Sequence, residues 1–345
     1  MKILVTGGAG FIGSYFIKYW MKKYPEDSIV NLDKLTYAGN LENLKEVENN
    51  SNYKFIQGDI CDKDLVMDIT KDIDLIVHFA AESHVDRSIE GPEVFIDTNV
   101  KGTLTLLECA LANGGIRFHH ISTDEVFGEL PLNDPKAKFH DGMAYAPKSV
   151  YSASKASSDH LVRAYNQTHK LPITISNCSN NYGPNQFPEK LIPLAITRAI
   201  FDEEIPVYGN GMQVRDWIHV EDHCKGIELC IKEGKIGETY LFGGNGERPN
   251  IWIIKKILEY LKKPESLIVH VGDRKGHDLR YAIDYSYAES ELGYKPGKSV
   301  DEWLEDTIKW YVENEEWWRP LKQKADKQAE GYLAKRLDKK SVNLA

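Results

Sequence analysis

The chain has 345 residues, enough for one large α/β domain or two unequal ones, and its apolar and charged fractions of 42% and 28% are ordinary for a globular protein. The formal net charge of −9 argues against nucleic acid as a partner, although a local basic pocket could still bind a small anion. No apolar run has the length of a membrane span, so no membrane interaction is expected.

Short apolar runs alternate with longer amphipathic stretches over the first 176 residues. The apolar runs predict buried parallel strands at 2–6, 28–33, 53–57, 74–79, 116–121 and 172–176. Helical patterns lie between them at 11–24, 62–71, 93–113 and 150–169. Strands that alternate with helices predict an α/β fold with a doubly wound, Rossmann-type parallel sheet.

The pattern changes after residue 177, where Gly, Pro and Asn separate shorter elements. This change predicts a cofactor-binding domain at 1–177 and a smaller substrate-binding lobe at 178–320, with strands near 215–242 as candidates to return to the larger sheet. A Trp-rich amphipathic helix is predicted at 301–318, with its tryptophans in the core. Residues 321–345 are predicted to be a charged, Lys-rich tail.

A glycine-rich segment, G-G-A-G-F-I-G at 7–13, follows the first predicted strand and opens a helix. Its glycines, in the frame 7, 10, 13 or the frame 8, 10, 13, permit a tight turn that brings the backbone to a pyrophosphate at a helix N-terminus. Asp33 ends the second strand, where a carboxylate would hold the adenine ribose hydroxyls and repel the 2′-phosphate of NADP. The sequence therefore predicts NAD as the cofactor, with the neighbouring Lys34 as the counter-argument.

Tyr151 and Lys155 form Y-x-x-x-K at the start of a predicted helix. Residues four apart share one helix face, so both side chains can reach the same site. A tyrosine with an ordinary pKa near 10 is a poor base at neutral pH, but a nearby ammonium group favours the phenolate. This spacing predicts that Tyr151 is the base for a sugar hydroxyl whose carbon loses a hydride.

The segment T-D-E-V-F-G at 123–128 follows the fifth predicted strand, at the edge where ligands bind in such sheets. Hydride transfer alone needs a hydroxyl donor there but no acid pair. Asp124 and Glu125 are adjacent, and like charges push two carboxyl pKa values apart, so that one acid can stay protonated while the other is ionised. One acid and one base are what elimination of water requires.

Eight segments together resemble dTDP-glucose 4,6-dehydratases of the extended short-chain dehydrogenase/reductase superfamily. They are G-G-A-G-F-I-G, D-K-L-T-Y-A-G-N (33–40), A-A-E-S-H-V-D-R-S (80–88), S-T-D-E-V-F-G, Y-S-A-S-K, C-S-N-N-Y-G-P (178–184), E-K-L-I-P (189–193) and R-D-W-I-H-V-E-D-H (215–223). The match runs from residue 1 to about 285. The pairing of T-D-E-V with A-A-E-S-H-V-D-R-S is specific, since related epimerases and decarboxylases are expected to lack the Asp–Glu pair.

The resemblance implies an NAD site and a nucleotide-sugar site. The NAD site would comprise Gly7, Gly10, Phe11, Ile12, Gly13, Asp33, Lys34, Leu35, Thr36, Asp59, Ile60, Phe79, Ala80, Ala81, Ser83, Thr98, Tyr151, Lys155 and Asn181. Ser83 and Thr123 would hold the glucose. The rest of the substrate would contact Asn180, Lys190, Leu191, Pro206, Val207, Tyr208, Arg215, Asn250, Asp273, Arg274 and His277.

Two residues depart from the family pattern: Lys275 stands where proline is usual, and Asn177 where arginine is common. The first lies in the implied nucleotide loop, and the second is expected near the nicotinamide. Neither departure touches the proposed acid and base groups.

The resemblance and the chemistry together imply oxidation at C4 by Tyr151, elimination across C5 and C6 by Glu125 as base and Asp124 as acid, and hydride return to C6. NAD would be regenerated and would behave as a bound prosthetic group. The alternatives are a UDP- or CDP-glucose dehydratase, a nucleotide-sugar 4-epimerase or decarboxylase, and an NAD-sensing module without catalysis. The intact Tyr151, Lys155 and Thr123 argue against the last.

Five scattered cysteines suggest reduced thiols, and a strand at residue 2 leaves no room for a signal peptide, so a cytoplasmic protein is expected. Metal binding by His219 and His223 is not expected, because no third ligand is evident; structural or helix-capping roles are favoured. The helices at 93–113 and 150–169 are candidates for a homodimer interface, which the family forms.

Overall fold

The structure is a computed structural model that describes residues 1–274 and 276–337, with side chains as far as residue 327. The strands are β1 Lys2–Thr6, β2 Ser28–Asp33, β3 Tyr53–Gln57, β4 Leu75–His78, β5 Arg117–Thr123, β6 Ile173–Cys178, β7 Asn180–Tyr182, β8 Ile205–Tyr208, β9 Val214–His219, β10 Thr239–Phe242, β11 Glu247–Pro249 and β12 Ile268–Val271. The helices are α1 Phe11–Lys23, α2 Lys63–Ile69, α3 Val85–Glu90, α4 Glu93–Phe95, α5 Thr103–Ala112, α6 Val150–His169, α7 Leu191–Ile200, α8 Val220–Glu233, α9 Asn250–Leu261, α10 Ser286–Leu292, α11 Val300–Glu313 and α12 Glu315–Leu337.

A seven-stranded parallel sheet in the order β10-β6-β5-β4-β1-β2-β3 is the centre of the fold. Most of its strand residues are buried, because helices cover both faces: α1 and α8 pack on one, and α2, α5 and α6 on the other. The strand order reverses between β1 and β4, and ligands bind in the crevice at such a switch point. The predicted doubly wound, Rossmann-type sheet is confirmed.

The second lobe is built on α7, α9 and α11, whose apolar faces form one core with β8 and β9. Two small sheets, β11-β9-β7 and β12-β8, complete it. Of the strands expected to return to the large sheet, β10 does so by pairing with β6, whereas β9 pairs with β7 and β11.

The structure differs from the predicted helices in three places. The stretch predicted as one helix at 93–113 contains a π-helical segment, Ile96–Gly102, and α3 was not predicted. The predicted helix at 301–318 is two helices, because it breaks at Asn314, whose side-chain amide donates to the carbonyl of Trp310 at 2.8 Å. The stretch predicted as a charged tail from residue 321 continues α12 to Leu337, and residues 338–345 lie outside the described residues.

Candidate active site

A cleft of about 330 Å³ opens along the carboxyl ends of the parallel strands. It unites predicted cofactor residues with the proposed acid and base groups. The predicted residues that line it are Gly7, Gly10, Phe11, Ile12, Gly13, Asp33, Lys34, Thr36, Asp59, Ile60, Phe79, Ala80, Ala81, Ser83, Thr98, Thr123, Asp124, Glu125, Tyr151, Lys155, Asn180, Asn181 and Lys190.

The glycine turn between β1 and α1 is packed too closely for side chains. Gly7 has φ +70°, and a Cβ there would lie 2.6 Å from the backbone nitrogen of Ala80 at the end of β4. A Cβ on Gly13 would lie 2.4 Å from the carbonyl oxygen of Gly7. Two neighbouring strand ends and the start of α1 therefore meet with backbone exposed to the cleft, the arrangement that admits a pyrophosphate.

Asp33, at the end of β2, is a buried carboxylate with a fixed orientation. Its two oxygens accept the backbone N–H groups of Leu35 and Ala9 at 2.8 and 2.9 Å. Burial raises the pKa of Asp33, and these two hydrogen bonds oppose the rise. Lys34, whose positive charge argues for the 2′-phosphate of NADP, forms a 2.6 Å ion pair with Asp59. Leu35 does not line the cleft, and its role is the N–H that orients Asp33.

Tyr151 and Lys155 lie in the first turns of α6, which begins with a Ser149 capping box. Lys155 Nζ donates to the carbonyl oxygen of Ile121 at 2.7 Å, which ties α6 to β5. Burial, followed by the charge of Glu125, raises the pKa of Tyr151 well above its usual range, and a hydrogen bond with Thr123 opposes the rise. Ionisation of Tyr151 therefore needs positive charge nearby.

Asp124 and Glu125 begin a 3₁₀ turn, Asp124–Phe127, at the end of β5. Asp124 is only 1% exposed, and its Oδ2 atom has no hydrogen-bond partner among the described residues. Burial and the charge of Glu125 raise the pKa of Asp124 well above its usual range. Burial also raises the pKa of Glu125, but the charges of Arg274, Arg215 and Lys190 oppose that rise. The environments thus favour the proton of the pair on Asp124 rather than on Glu125.

Behind Lys155, a buried network surrounds Asp159, one helical turn further along α6. Asp159 Oδ2 accepts hydrogen bonds from Ser122 Oγ at 2.9 Å and Tyr145 OH at 2.8 Å, and Oδ1 lies 3.2 Å from His120 Nε2. Burial lowers the pKa of Lys155 to about 8, and the charge of Asp159 opposes this. Asp159 is therefore the carboxylate that helps to keep Lys155 charged.

Asn177 is fully buried in the same network and does not line the cleft. Its amide donates to the carbonyl oxygen of Thr123 at 2.9 Å and to Asp159 Oδ2 at 3.3 Å. The departure from the family pattern at this position therefore acts on the strand end that carries Thr123. The other departure, Lys275, lies outside the described residues.

The remaining predicted substrate residues form a second group outside the cleft lining. Arg215 stacks on the Tyr281 ring with 4.2 Å between its guanidinium carbon and the ring centre, and His277 Nδ1 lies 2.7 Å from Asp273 Oδ1. Arg215 and Arg274 are linked to the cleft electrostatically, because both lower the pKa of Glu125. Arginine suits the planar, bidentate recognition of phosphate oxygens.

Five further predicted substrate residues differ in the groups that they can offer to a ligand. The side chain of Val207 belongs to the core and Leu191 packs against it, so these two could offer a ligand mainly backbone groups. Asn250 begins α9, and its Oδ1 atom is buried without a hydrogen-bond partner among the described residues. Pro206 and Tyr208 lie on β8, with the Tyr208 ring 6.1 Å from that of His277 in an edge-on contact.

The cleft also contains residues that the sequence analysis missed. The most distant in sequence are Trp317 and Leu321 of α12, and nearer ones are Tyr37, Asn43 and Glu189. Tyr37 and Glu189 belong to quoted family segments, so those segments could have indicated them. Trp317 was expected only to pack in the core, and no local pattern indicates a contact with the first βαβ unit.

The two histidines considered for a metal have other contacts. His219 caps α8 by accepting the backbone N–H of Glu221 and stacks on Trp303, with ring centres 3.8 Å apart. His223 contacts Asn181 Oδ1 at 3.0 Å and so orients a cleft residue. Among residues 1–274 and 276–337, no cluster of three or more His, Cys, Asp or Glu side chains could hold a metal ion.

Comparison with known proteins agrees with this geometry. A family model described as GDP-mannose 4,6 dehydratase matches residues 4–307. The dTDP-glucose 4,6-dehydratase of Escherichia coli is 51% identical over 347 aligned residues, covering 92% of this chain and 96% of the relative. The Streptomyces venezuelae dTDP-glucose 4,6-dehydratase, solved with NAD bound, has a TM-score of 0.90 and 47% identity, covering 93% of this chain and 100% of that one. The Bacillus anthracis enzyme in complex with NAD has a TM-score of 0.87 and 44% identity, covering 93% and 99%.

The sheet, the glycine turn and the Tyr151–Lys155 pair define an NAD-dependent enzyme of the extended short-chain dehydrogenase/reductase type. The chain belongs to the dTDP-glucose 4,6-dehydratase family. The predicted family, NAD as cofactor and hydro-lyase activity are thereby confirmed.

Proposed function

We propose that this protein dehydrates dTDP-glucose to dTDP-4-keto-6-deoxyglucose, with the residue roles given below. The observation that carries the proposal is the adjacent pair Asp124–Glu125 at the same cleft as Tyr151, in environments that favour the proton on Asp124 over Glu125. A 4-epimerase or decarboxylase would leave this pair without a task. The product is a precursor of 6-deoxysugars, a class that includes rhamnose.

The cleft residues fit NAD because backbone from the glycine turn faces it and Asp33 keeps lone pairs for ribose hydroxyls beside its two amide bonds. When bound, NAD supplies a hydride acceptor for the first stage of the reaction and a hydride donor for the last. Tyr151, supported by the charge of Lys155 and by Thr123, removes the proton of the C4 hydroxyl as C4 becomes a ketone. Ser83 helps to hold the glucose.

Elimination follows because the new ketone acidifies the hydrogen on C5. Glu125 takes that proton, while Asp124 donates its own proton to the C6 hydroxyl, which leaves as water. A C5–C6 double bond conjugated with the ketone is formed. C6 then receives hydride, and C5 receives a proton. The two carboxyl groups exchange protonation states during elimination. Return of the proton from Glu125 to C5 restores Glu125, while Asp124 regains a proton from solvent and Tyr151 releases to solvent the proton that it took from the C4 hydroxyl.

Recognition of the nucleoside diphosphate falls to the basic residues around Glu125. Lys190, Arg215 and Arg274 supply positive charge to the phosphate oxygens. The buried side-chain oxygens of Asn180 and Asn250, which have no hydrogen-bond partner among the described residues, offer acceptors to a ligand donor. The same cations oppose the rise in the pKa of Glu125, so substrate binding and base strength depend on one cluster.

Incubation of the purified protein with dTDP-, UDP- and CDP-glucose, with products identified by mass, tests the assignment. We expect loss of 18 mass units from dTDP-glucose, the mass of one water. Preferred turnover of UDP- or CDP-glucose would revise the nucleotide. Isomerisation without loss of mass would support a 4-epimerase, loss of carbon dioxide from a nucleotide-linked uronic acid a decarboxylase, and NAD binding with no turnover a sensing module.

The NAD preference is expected to depend on Asp33. The wild-type protein should bind NAD⁺ about 10- to 100-fold more tightly than NADP⁺, the range of one charge-assisted hydrogen bond. Asp33→Ala should reduce the difference between the affinities for NAD⁺ and NADP⁺, because it removes both the ribose acceptor and the repulsion of the 2′-phosphate. Calorimetric titration of cofactor-free protein measures both affinities. Asp68→Ala, which removes an exposed carboxylate of α2 outside the cleft, is the control and should leave the preference unchanged, and equal wild-type affinities would contradict the assignment.

The rate of C4 oxidation is expected to fall at alkaline pH as Lys155 loses its charge. Lys155 has a pKa of about 8, so at lower pH its positive charge supports the Tyr151 phenolate, and at higher pH this support is lost. Asp159→Asn should lower the pKa of Lys155 further, so the single-turnover rate of NADH formation should begin to fall at lower pH. For each pH unit by which the fall moves down, the rate at a given pH beyond it should be about tenfold lower. Asp68→Asn, an exposed carboxylate on α2, is the control, and a fall at unchanged pH in Asp159→Asn would remove Asp159 from this role.

A cytoplasmic homodimer is the expected state. The five cysteines are unpaired thiols, and no helix in the described part of the chain is long and apolar enough to cross a membrane. Ile89, Val94 and Ile96 are apolar and between 43% and 49% exposed, next to the helices predicted to pair across a dimer axis. A monomeric mass by light scattering would contradict the dimer.

A further inference from the structure

The C-terminal helix α12 is anchored firmly on the substrate lobe. Trp318 is fully buried, donates its indole N–H to the carbonyl oxygen of Tyr311 at 2.7 Å and meets the Phe201 ring edge-on at 5.5 Å. One turn further, Lys322 forms ion pairs of 2.6 Å with Glu203 and 2.7 Å with Asp326. These contacts fix the helix from 315 to 327, a segment called the clasp below.

The opposite side of the clasp reaches the cofactor half of the molecule. Trp317 donates its indole N–H to Asn43 Oδ1 at 3.0 Å, and Lys324 donates to the carbonyl oxygen of Tyr37 at 2.9 Å. Asn43 in turn donates to the carbonyl oxygen of Ala9 in the glycine turn at 3.0 Å. The clasp therefore joins the substrate lobe to the loop after β2 and, through one amide, to the glycine turn.

Trp317 and Leu321 line the same cleft as Gly10, Asp33 and Tyr151. They are half-buried and lie one turn apart on α12, beside the buried Trp318, and Trp317 also packs against the core that contains Trp318. A dinucleotide seated between the glycine turn and Asp33 would have this pair of apolar side chains at the rim of its site. The bonds of Trp317 to Asn43 and of Lys324 to the Tyr37 carbonyl hold this rim against the cofactor half of the molecule.

We propose that the clasp is a retention device for NAD, in which Trp317 and Leu321 close the rim of the cofactor site and slow release of the dinucleotide. The inference rests on NAD as the cofactor and not on the identity of the sugar nucleotide. Slow release does not limit turnover here, because the reaction returns its hydride and leaves the cofactor in its starting oxidation state.

The double variant Trp317→Ala/Leu321→Ala tests the clasp. Protein saturated with NAD⁺ is passed through a desalting column, and the NAD that remains bound is measured over time after denaturation. We expect release at least about tenfold faster than in the wild type, the factor that corresponds to one apolar contact or hydrogen bond. Activity after dilution should fall with the lost NAD, and excess NAD⁺ should restore it.

Two further variants separate retention from folding. Gln323→Ala changes an exposed residue of the same helix and should release NAD at the wild-type rate. Lys324→Ala removes only the bond to Tyr37 and should accelerate release by a smaller factor. Unchanged release in the double variant, or activity that excess NAD⁺ fails to restore, would overturn the proposal. NAD release is measured without substrate, so a wrong sugar nucleotide would leave this result intact.

Discussion

Tyr151→Phe is expected to lose C4 oxidation by about 10²- to 10⁴-fold while it keeps substrate binding, because it removes only the hydroxyl that acts as general base. The phenyl ring retains the packing of Tyr151 against Phe95. Single-turnover absorbance of NADH measures the oxidation step, and calorimetric titration with dTDP-glucose measures binding.

Tyr165→Phe is the matched control, because Tyr165 lies on the same helix and outside the cleft. It should oxidise dTDP-glucose at the wild-type rate. Near-normal turnover of Tyr151→Phe would remove Tyr151 from the mechanism. Loss of substrate affinity in step with the rate would instead make it a binding residue.

The double variant Asp124→Asn/Glu125→Gln is expected to stop the reaction after oxidation. C4 oxidation needs neither carboxyl as its base, whereas elimination needs an ionised group for the C5 proton and a protonated one for the C6 hydroxyl. The amides keep the shape of both side chains but remove proton transfer. Bound NADH should therefore accumulate, seen by absorbance, while release of 6-deoxy product falls by about 10²-fold or more.

Two further experiments test the elimination step: the two single variants, and the incorporation of deuterium from solvent into the product. Glu125→Gln should fail at the same stage as the double variant, and Asp124→Asn less completely, since water can partly replace an acid. The wild-type product formed in deuterium oxide should carry deuterium at C5, where a proton is lost and regained. Product without C5 deuterium, or normal product release by the double variant, would return the 4-epimerase to consideration.

Local pattern predicted the large sheet well, because a buried parallel strand is recognisable from its own residues. The first three strands have the predicted bounds, and β5 differs mainly by extending to Thr123. The glycine turn and Asp33 were predictable for the same reason: their positions follow directly from strand ends. The catalytic side chains then meet because the carboxyl ends of parallel strands share one edge.

What escaped prediction depends on contacts distant in sequence. The π segment Ile96–Gly102 includes Asn99, whose side chain bonds both the N–H and the carbonyl of Glu82, at 2.8 and 2.9 Å. Helical periodicity carries no sign of such a partner. The break at Asn314 has neither Gly nor Pro beside it, while Pro320 lies inside α12 without ending it. Trp317 meets Asn43 across more than 270 residues, so its place at the cleft could be seen only in the folded chain.

Three residues complete one turn of a 3₁₀ helix, so neighbouring side chains in Asp124–Phe127 diverge by about 120°. Both acids line the cleft, but Asp124 is almost wholly buried, whereas Glu125 is partly exposed and lies in the field of Arg274, Arg215 and Lys190. If the two acids changed places, the longer glutamate side chain would occupy the buried position 124. The shorter aspartate at position 125 would then lie farther from the cations. The order of these two adjacent residues therefore sets which acid takes the C5 proton and which one gives a proton to the C6 hydroxyl. A relative with the same two acids in the reverse order would not share this assignment.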